Sequence, residues 1–418
     1  MNLLRRHPVA IALVVLLLAT AIHPLSPLID AVTGSTPGDV DLERPVSYVI
    51  FAPLSNTLDA LTFFSLSRGV WALTVWMLLL AGWGAVRASS DSHGWRRVVL
   101  TALLGPAVLV VLVVAAVILP RPVPRLTTDG TGGVAGGGTV IDYHAHTNAS
   151  HDGRPGWTLA KLADWHERQG FEASYVTDHN VVYDGSLPVP ETSISLLPGV
   201  EWSVHQQHVV AIGPVEPLPR DSFQGSTPRM IRIFAAIERQ GGLSIASLPE
   251  YWRNHWDDLS AFVVGGVDGF EIVNCAPKAL GFPSGLRRQV LTLAGSHDLM
   301  VVGASDNHGW GKVTCVWNVS LPGAQGFHTN RVFARPLALV QGDWQPWTAA
   351  VTQPWFLLRS LTWSERASWL TWVLVILFYR ALPRREGQSA GLGILARSIF
   401  RRRKPPSPTP TPAPSPNP

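Results

Sequence analysis

Two histidines separated by one residue open the part of the sequence that could do chemistry. His144 and His146 follow the apolar pair Val140-Ile141, which predicts a β-strand leaving a glycine-rich segment. Alternate residues of a strand point to the same face, so both imidazoles could reach one metal ion. An H-x-H pair is weak evidence by itself, and it gains weight because further ligand-type residues follow at the ends of later strands.

These further residues are histidines and carboxylates beside predicted apolar strands. The candidate metal ligands are His144, His146, Asp152, His179, Glu201, His208, Asp306 and His308. Imidazoles and carboxylates without a cysteine thiolate suit Zn²⁺, Mn²⁺ or Fe²⁺. Because carboxylates can bridge ions, this many ligands predicts two or more metals. Paired metals can generate hydroxide and stabilise both the attacking and the leaving oxygen at phosphorus.

Each of these residues, considered alone, has a more ordinary explanation. An Asp-His pair is usually a turn, and Glu201 could be a strand-end carboxylate. His151 and His205 lie beside motif positions, and we expect a structural or surface role for each. The joint pattern is different, because several ligand-bearing segments that each accompany an apolar strand are hard to produce by chance. The pattern therefore predicts metal binding.

The elements that must position these residues alternate between strand and helix. Leu159, Leu162 and Trp165 recur at helical spacing and predict a helix over Leu159–Gln169, whereas apolar runs such as Val301–Ala304 predict strands. Repeated strand-and-helix units with polar residues at the strand C-termini predict an α/β fold. We expect a β/α barrel with its site at the C-terminal face.

Several motifs follow one another in a recurring order. They are Asp142–Thr147 (DYHAHT), Ser150–Gly153 (SHDG), Thr177–His179 (TDH), Gly199–Glu201 (GVE), His208, Gly269–Asn274 (GFEIVN) and Ser305–Gly309 (SDNHG). In order and spacing they resemble the polymerase-and-histidinol-phosphatase (PHP) family of metal-dependent phosphoesterases, whose usual S-D-G is one residue shorter. The resemblance covers about half of the chain. It implies a distorted (β/α)7 TIM-like barrel, two or three metal ions and hydrolysis of a phosphoester.

One position departs from the family's pattern. Where the family usually has His-Pro after a strand, this chain has Leu248-Pro249. Leu248 cannot bind a metal, and the missing histidine usually partners the residues matched by Glu201 and His208. The resemblance therefore implies two ions, with a third weakened by Leu248, and makes His208 the least secure ligand.

The resemblance also suggests a role for each remaining residue. One ion would be held by His144, His146, Glu201 and Asp306, and Glu201 would bridge to a second ion completed by Asp152, His179 and His308. A metal-bound hydroxide would attack phosphorus, with Asp178, His179, Asp306 and His308 as the catalytic residues. Asp178 would orient His179 or shuttle a proton. Arginines should pair with the substrate phosphate, and the candidates are Arg154, Arg253 and Arg288, with Arg287 as an alternative to the last.

The composition indicates that the protein also has a membrane region. Hydrophobic residues make up 46% of the 418 residues and charged residues only 15%, below the quarter that is usual for soluble domains. We expect a membrane region over residues 1–120 with spans at 8–21, 70–86 and 98–119. A Pro/Gly linker (121–138), the phosphoesterase domain (139–345), a Trp-rich segment with a final span at 367–382 (346–382) and a basic, Pro-rich disordered tail (383–418) would follow.

Positive charge predicts the orientation of these spans. Arginine clusters at Arg5-Arg6, Arg87–Arg97 and Arg380–Lys404 would all lie on the cytoplasmic side with four spans. The protein would then be integral to the cell membrane, with both termini cytoplasmic and the domain outside. If residues 47–65 span the membrane instead of lying at its surface, the domain faces inward. A disulfide between Cys275 and Cys315 is compatible with the sequence without being implied by it.

Two classes of function remain from the sequence. The first is a membrane-anchored metal-dependent phosphoesterase that acts on a phosphorylated small molecule or an envelope polymer. The second is a catalytically degenerate module that binds metal or ligand as a sensor or assembly protein, which Leu248 favours. A transporter ranks low, because intramembrane charge pairs and repeats are lacking in the sequence. A nucleic-acid substrate is disfavoured, because the sequence shows no stripe of basic residues interleaved with aromatic ones.

Overall fold

The computed structural model describes residues 7–89, 95–128, 137–183, 187 and 193–381. The chain divides into two compact units, Met1–Leu370 and Thr371–Pro418. The described strands all belong to the first unit. The predictions for Arg5-Arg6, for much of the glycine-rich linker and for the basic tail fall outside the described residues. The domain boundaries stay a prediction.

The first unit contains both helices and strands. The helices are α1 (Pro8–Ile22), α2 (Val46–Ile50), α3 (Ala52–Ala60), α4 (Leu66–Ser89), α5 (Trp95–Ile118), α6 (Leu159–Gln169), α7 (Thr227–Met230), α8 (Arg232–Glu238), α9 (Leu248–His255), α10 (Leu259–Val264), α11 (Ser284–Ser296), α12 (Pro336–Val340), α13 (Ala349–Arg359) and α14 (Trp363–Ala381), which continues into the second unit. The strands are β1 (Ile29–Asp30), β2 (Val40–Glu43), β3 (Arg125–Thr128), β4 (Thr139–Ala145), β5 (Ala173–Val176), β6 (Ser195–Val204), β7 (Gln207–Ile212), β8 (Leu243–Ala246), β9 (Gly269–Asn274), β10 (Met300–Ala304), β11 (Val316–Ser320) and β12 (Asn330–Ala334).

Ten strands form one curled, mixed sheet in the order β1-β12-β11-β4-β5-β6-β7-β8-β9-β10. The pairs β4–β5–β6 and β8–β9–β10 are parallel, and the remaining pairs are antiparallel. The curl brings β10 back towards β4 and β11, where the Asn318 amide donates to the carbonyls of Gly303 (2.7 Å) and Ile141 (3.0 Å). The architecture is therefore α/β and compatible with a TIM-like fold.

A hairpin interrupts the expected succession of strand-and-helix units. Strands β6 and β7 are joined by His205 and Gln206, whose φ angles are 45° and 61°. Two consecutive left-handed residues are what a tight hairpin turn needs. The expectation that each strand would be followed by a helix is wrong here, because His205-Gln206 reverses the chain directly. It also places His205 in a turn, where its ring contacts His255 rather than the metal ligands.

The segments before residue 120 contribute to the core of the domain. Strand β1 pairs with β12, and β2 pairs with β3. Leu28, Val40 and Leu42 pack in one buried cluster with Leu126. The start of the predicted linker is therefore a strand that belongs to the domain.

Helices α4 and α5 are long and apolar enough to cross a membrane, among the described residues. Their side chains are mostly exposed, with Leu78 at 69% and Val111 at 65%. They pack closely against each other, since a Cβ added to Gly84 would lie 2.5 Å from the Thr101 carbonyl oxygen. Apolar helices that expose most of their surface need an apolar solvent or partner.

Residues 47–65 form the short helices α2 and α3 rather than one long helix. Their polar side chains are buried in a network in which Tyr48 donates to Asp59 (2.8 Å) and Asn56 donates to Glu365 (2.8 Å). Arg121, just beyond α5, donates to the same Asp59 at 3.0 Å. Helices of 5 and 9 residues are too short to span a bilayer of about 30 Å.

Candidate metal centre

The predicted metal ligands all lie at one end of the sheet. His144 and His146 come from the end of β4, Glu201 from β6, and the others from β7 or from loops that follow strands. Asp306 adopts a left-handed φ of 46°, which is costly for a residue with a side chain. Its backbone N–H donates to the His144 carbonyl (2.9 Å) at the seam of the curled sheet, where the end of β10 lies beside β4. This hydrogen bond holds the conformation.

One group of ligand atoms converges around the predicted first ion. The Nε2 atoms of His144 and His146 lie 2.9 Å apart, and each lies 3.2 Å from Glu201 Oε2. Asp306 Oδ1 lies 3.3 Å from His146 Nε2 and 3.7 Å from His144 Nε2. The structure thus brings together the four residues that the sequence grouped. Two lone-pair nitrogens and two carboxylates can face one another in this way only around a cation or a shared proton.

A second group lies beside the first and shares Glu201. His179 Nδ1 is 2.9 Å from Glu201 Oε2, and His179 Nε2 is 3.5 Å from Asp152 Oδ2. His308 Nε2 is 3.2 Å from Asp152 Oδ1. His151 also lies near this group, since its ring centroid is 5.1 Å from that of His179, but its side chain is 77% exposed. Glu201 is therefore placed to bridge two adjacent sites.

His208 faces the other oxygen of Glu201. Its Nδ1 lies 2.5 Å from Glu201 Oε1 and 3.3 Å from Glu250 Oε2, while its Nε2 is 3.0 Å from the Tyr251 hydroxyl. The sequence prediction did not include Glu250 or Tyr251. Both lie in the first turn of α9 just after Leu248, and that proximity was the signal that could have revealed them.

A buried carboxylate fixes the orientation of the first histidine. Glu271 Oε1 lies 2.6 Å from His144 Nδ1, and Glu271 Oε2 accepts bonds from Ser247 (2.6 Å) and Asn274 (3.0 Å). A proton on Nδ1 donated to Glu271 leaves Nε2 with its lone pair towards the centre, as metal-binding histidines require. The sequence placed Glu271 in a family motif without assigning it a role.

Asp178 has a different place from the predicted one. Its carboxylate accepts bonds from the Thr147 backbone (2.7 Å), the Thr147 hydroxyl (2.7 Å) and the Ser150 hydroxyl (2.9 Å), and also from Tyr183. Ser150 Oγ in turn lies 2.9 Å from His146 Nδ1. Asp178 therefore anchors the loop after β4 and supports His146 through Ser150, and its bonds do not go to the His179 ring within the described residues.

The electrostatics of the centre match a bound cation. Glu201 is 1% exposed, and both of its oxygens, with Asp306 Oδ1 and His208 Nδ1, lack a well-formed hydrogen bond within the described residues. Burial raises the pKa of Glu201, but His208 and His144 lower it further, to well below its usual range. Burial lowers the pKa of His144, and Glu201, Asp306 and Glu271 raise it well above its usual value. Ionised oxygens buried without hydrogens to accept are the partners that divalent cations satisfy.

The three predicted phosphate-binding arginines do not line the cavities at the centre. Arg154 is near the Trp310 ring, Arg253 stacks on Trp252, and Arg288 donates to Ser284. Arg287, the alternative, is buried and donates to the carbonyls of Ile272 and Leu339. A cavity of about 270 Å³ opens at the metal centre, and the cation in its lining is Lys278. Its Nζ lies 3.2 Å from Glu250.

A second cavity, of about 550 Å³, meets the first at the metal centre. Five residues line both: Asp152, Ala276, Pro277, Asp306 and His308. Beside it, Cys275 is joined to Cys315 in a disulfide, with 5.7 Å between their Cα atoms. The pairing ties the loop after β9 to the start of β11.

Comparisons with known proteins return structural likenesses alone. No protein-family model matches the chain, and no curated protein matches it. A protein from Bifidobacterium adolescentis, provisionally named a metal-dependent phosphoesterase, is 19% identical over 45% of this chain and 92% of its own, with a TM-score of 0.33. PsfC from Pseudomonas syringae is 17% identical over 53% and 98%, with a TM-score of 0.34. An amidohydrolase from Chromobacterium violaceum is 16% identical over 47% and 92%, with a TM-score of 0.30.

Proposed function

We propose that this protein is a membrane-anchored, metal-dependent phosphoesterase of the PHP type. The observation that carries the proposal is that four imidazoles and the Asp152 carboxylate gather around Glu201 and Asp306, whose buried oxygens Glu201 Oε1, Glu201 Oε2 and Asp306 Oδ1 lack a well-formed hydrogen bond within the described residues. The curled sheet, with its ligands at one end, fits the distorted (β/α)7 barrel that the motifs suggest.

Two ions of Zn²⁺, Mn²⁺ or Fe²⁺ fit the donors. His144, His146, Glu201 and Asp306 would hold one, and Glu201, Asp152, His179 and His308 would hold the other. When bound, such ions lower the pKa of water and neutralise charge that develops on phosphoryl oxygens. Glu271 and Ser150 keep His144 and His146 oriented.

The chain's own residues would bind and position the ester. Lys278 is the cation at the mouth of the smaller cavity, so its Nζ would pair with a phosphoryl oxygen. The Tyr251 hydroxyl lines the same cavity and could donate a hydrogen bond to the ester. Burial and nearby carboxylates hold the pKa of Tyr251 above its usual value, so the hydroxyl keeps its proton.

The outward orientation is part of the proposal. Disulfides persist in oxidising compartments, so the Cys275–Cys315 pair supports a domain outside the cytoplasm. The arginines that flank α4 and α5 support a cytoplasmic loop between these helices. We therefore place the domain on the outer side of the cell membrane, with both termini inside.

A binding module without turnover is the second candidate. It is favoured by Leu248, which is fully buried in the apolar core and contributes nothing to the centre. The remaining ligand set is complete for two ions, and this is why hydrolysis is the better proposal.

The test uses the full chain purified in detergent. Elemental analysis should find at least two metal ions per chain, and p-nitrophenyl phosphate or bis-p-nitrophenyl phosphate should be hydrolysed. His144→Ala should lose metal and lower turnover by roughly a hundredfold or more, whereas exposed His328→Ala should change neither. Metal binding without turnover of either ester would favour the binding module instead.

A further inference from the structure

The larger of the two cavities joins the metal centre to the helices that could cross a membrane. One end is formed by Asp152, Asp306 and His308 of the centre. The other is formed by Leu61, Phe63 and Phe64 at the α3–α4 turn and by Val117 in the last turn of α5. One cavity therefore has a polar end lined by residues of the metal centre and an apolar end lined by residues beside the helices.

The apolar end lies where α4 and α5 meet the domain. The first residue of α4, Leu66, donates its backbone N–H to the Pro277 carbonyl at 2.9 Å, and Pro277 lines both cavities. The Phe64 ring packs edge-on against Trp76 of α4, with centroids 5.9 Å apart. If α4 and α5 cross a bilayer, its surface lies within about one helical turn of the cavity.

One more aromatic residue marks this boundary. Trp310 lines the larger cavity and is 47% exposed. Tryptophan favours the interface between water and hydrocarbon, because its ring is apolar and its N–H is polar. The cavity is thus lined by ionisable side chains at the metal centre, by apolar side chains at the helices and by a half-exposed tryptophan.

Resting on the phosphoesterase function proposed above, we propose that the substrate is an amphiphile, the phosphate ester of a membrane lipid. Its phosphate would lie at the metal centre beside Lys278, and its apolar part would follow Leu61, Phe64 and Val117 towards the membrane. Water-soluble phosphate esters would use only the polar end. Pockets of this kind gain affinity from apolar area and orientation from a few polar groups.

The test compares esters that share a head group and differ in chain length. The full chain, in mixed micelles with its metal, is assayed on dioleoyl and dibutyryl phosphatidate and on the corresponding phosphatidylglycerols. We expect kcat/KM for at least one long-chain ester to exceed that of its short-chain counterpart by at least roughly tenfold. Equal turnover of long and short chains would overturn the lipid substrate and leave the phosphoesterase standing. Turnover of none of the esters, p-nitrophenyl esters included, would overturn both.

Two variants link any chain-length preference to the cavity. Leu61→Glu places a charge in the apolar end and should lower the long-to-short ratio by roughly tenfold. Val264→Glu introduces the same charge on α10, where Val264 is 86% exposed, and should leave the ratio unchanged. Metal content and hydrolysis of p-nitrophenyl phosphate report whether each variant is folded. A ratio that is unchanged in folded Leu61→Glu would contradict the proposal.

A separate observation concerns a third ion. His208 Nδ1 and Glu201 Oε1 face each other at 2.5 Å without a well-formed hydrogen bond, and Glu250 Oε2 lies 3.3 Å from the same nitrogen. Glu250 is two residues after Leu248, in the same first turn of α9, and its side chain is 9% exposed. We infer that Glu250 supplies the ligand that Leu248 cannot, so that His208, Glu201 and Glu250 hold a third divalent ion.

Metal counting tests this inference without an assay of activity. The full chain is dialysed against graded Mn²⁺ and analysed for bound metal. We expect three ions at saturation in the parent, two in Glu250→Gln, and three in Glu250→His, which restores a nitrogen ligand. Glu238→Gln, an exposed change on α8, should retain three. Two ions in the parent, unchanged by Glu250→Gln, would show that His208 is instead a protonated partner of the two carboxylates.

Discussion

The contact between His144 and Glu271 shows how a buried carboxylate can orient a candidate metal ligand. Glu271 is 1% exposed and meets His144 Nδ1 at 2.6 Å, while Ser247 and Asn274 hold its other oxygen. Its position depends on β9 lying beside β8 and β10, so the role follows from strand order. The motif around Glu271 is visible in the sequence, but that spatial relation is not.

Glu271→Gln should therefore weaken metal binding at the first site. The amide can still meet His144, but it no longer favours a proton on Nδ1 and a lone pair on Nε2. We expect metal affinity to fall roughly tenfold to a hundredfold, measured by competition with a chromophoric chelator. Glu238→Gln is the control, since Glu238 is exposed on α8. Unchanged affinity in Glu271→Gln would mean that Glu271 only fills space.

The histidines at the rim predict opposite effects of pH on the metal-free and metal-loaded protein. Burial lowers the pKa of His208, but Glu201 and Glu250 raise it to about 10. Burial likewise lowers the pKa of His308, and Asp152 and Asp306 raise it to about 9. Both values lie above the value of about 6.5 in an unfolded chain. The protonated histidines thus stabilise the metal-free fold fully below about pH 6.5, and this contribution is lost as pH rises through 9 to 10.

The melting temperature of the metal-free chain should fall as pH rises from 6.5 to 10, while metal affinity should rise because ions compete with protons. Thermal melts with and without chelator, and calorimetry in buffers of different ionisation enthalpy, measure the two trends. A metal-free melting temperature that rises over this window would contradict the assignment of these histidines.

Residue types and motif order identified in advance the histidines and carboxylates that the structure brings together, because both side-chain types are common metal ligands and the motifs can be read in order along the chain. Lys278 was not singled out, although the sequence has only four lysines, because it lies outside the motifs and only the folded chain brings it beside Glu250. The predicted arginines do not line the two cavities at the centre, and their pairing with a substrate phosphate stays a prediction. A charged side chain's reach depends on tertiary structure.

At the scale of elements, amphipathic helices were easier to predict than short strands. Helix α6 spans Leu159–Gln169 as expected, because its apolar residues recur over three turns. Strands β1 and β2, of 2 and 4 residues, are too short to show a period. The β6–β7 hairpin was missed because His205-Gln206 lacks the glycine or asparagine that marks such turns.

The end of α6 gives a prediction about stability. Gly170 ends the helix with φ of 88°, and a Cβ there would lie 2.4 Å from the Leu126 carbonyl oxygen on β3. Gly170→Ala should cost about 1–2 kcal/mol for the left-handed backbone and more for the clash, seen as a lower melting temperature. Gly241→Ala is the control, because Gly241 has φ of 83° but open space around its Cβ position. Equal losses in the two variants would mean that β3 gives way freely.

At the scale of the whole molecule, the N-terminal segments and the domain that carries the candidate metal centre are parts of one unit. Arg68, in the first turn of α4, donates to the carbonyl of Gly342 at 3.2 Å and also to that of Trp344. Gln341 accepts from the Ser65 backbone at 2.9 Å. Composition predicted the apolar helices but separated them from the domain, since polar contacts between distant segments leave no local pattern. Truncation near residue 138 would remove β1, β2 and β3 together.

Sidedness can be measured on the intact molecule. Val264→Cys on α10, 86% exposed, should react with a membrane-impermeant maleimide in intact cells. Trp95→Cys at the start of α5, where Trp95 is 72% exposed, should react only after the membrane is permeabilised. The reverse pattern would place the domain in the cytoplasm and end the outward assignment.

The seam of the curled sheet has a consequence for biosynthesis. His144 on β4 and Asp306 after β10 come from the two sides of that seam, where the Asp306 N–H meets the His144 carbonyl at 2.9 Å. A nascent chain that has emerged only as far as β9 possesses His144, His146 and Glu201 but lacks Asp306 and His308. The proposed first site would thus lack Asp306 until the segment after β10 has been synthesised. If the domain is exported during synthesis, as the proposed outward orientation requires, it would acquire its full set of candidate ligands only after export and would load its ions from the pool outside the cell.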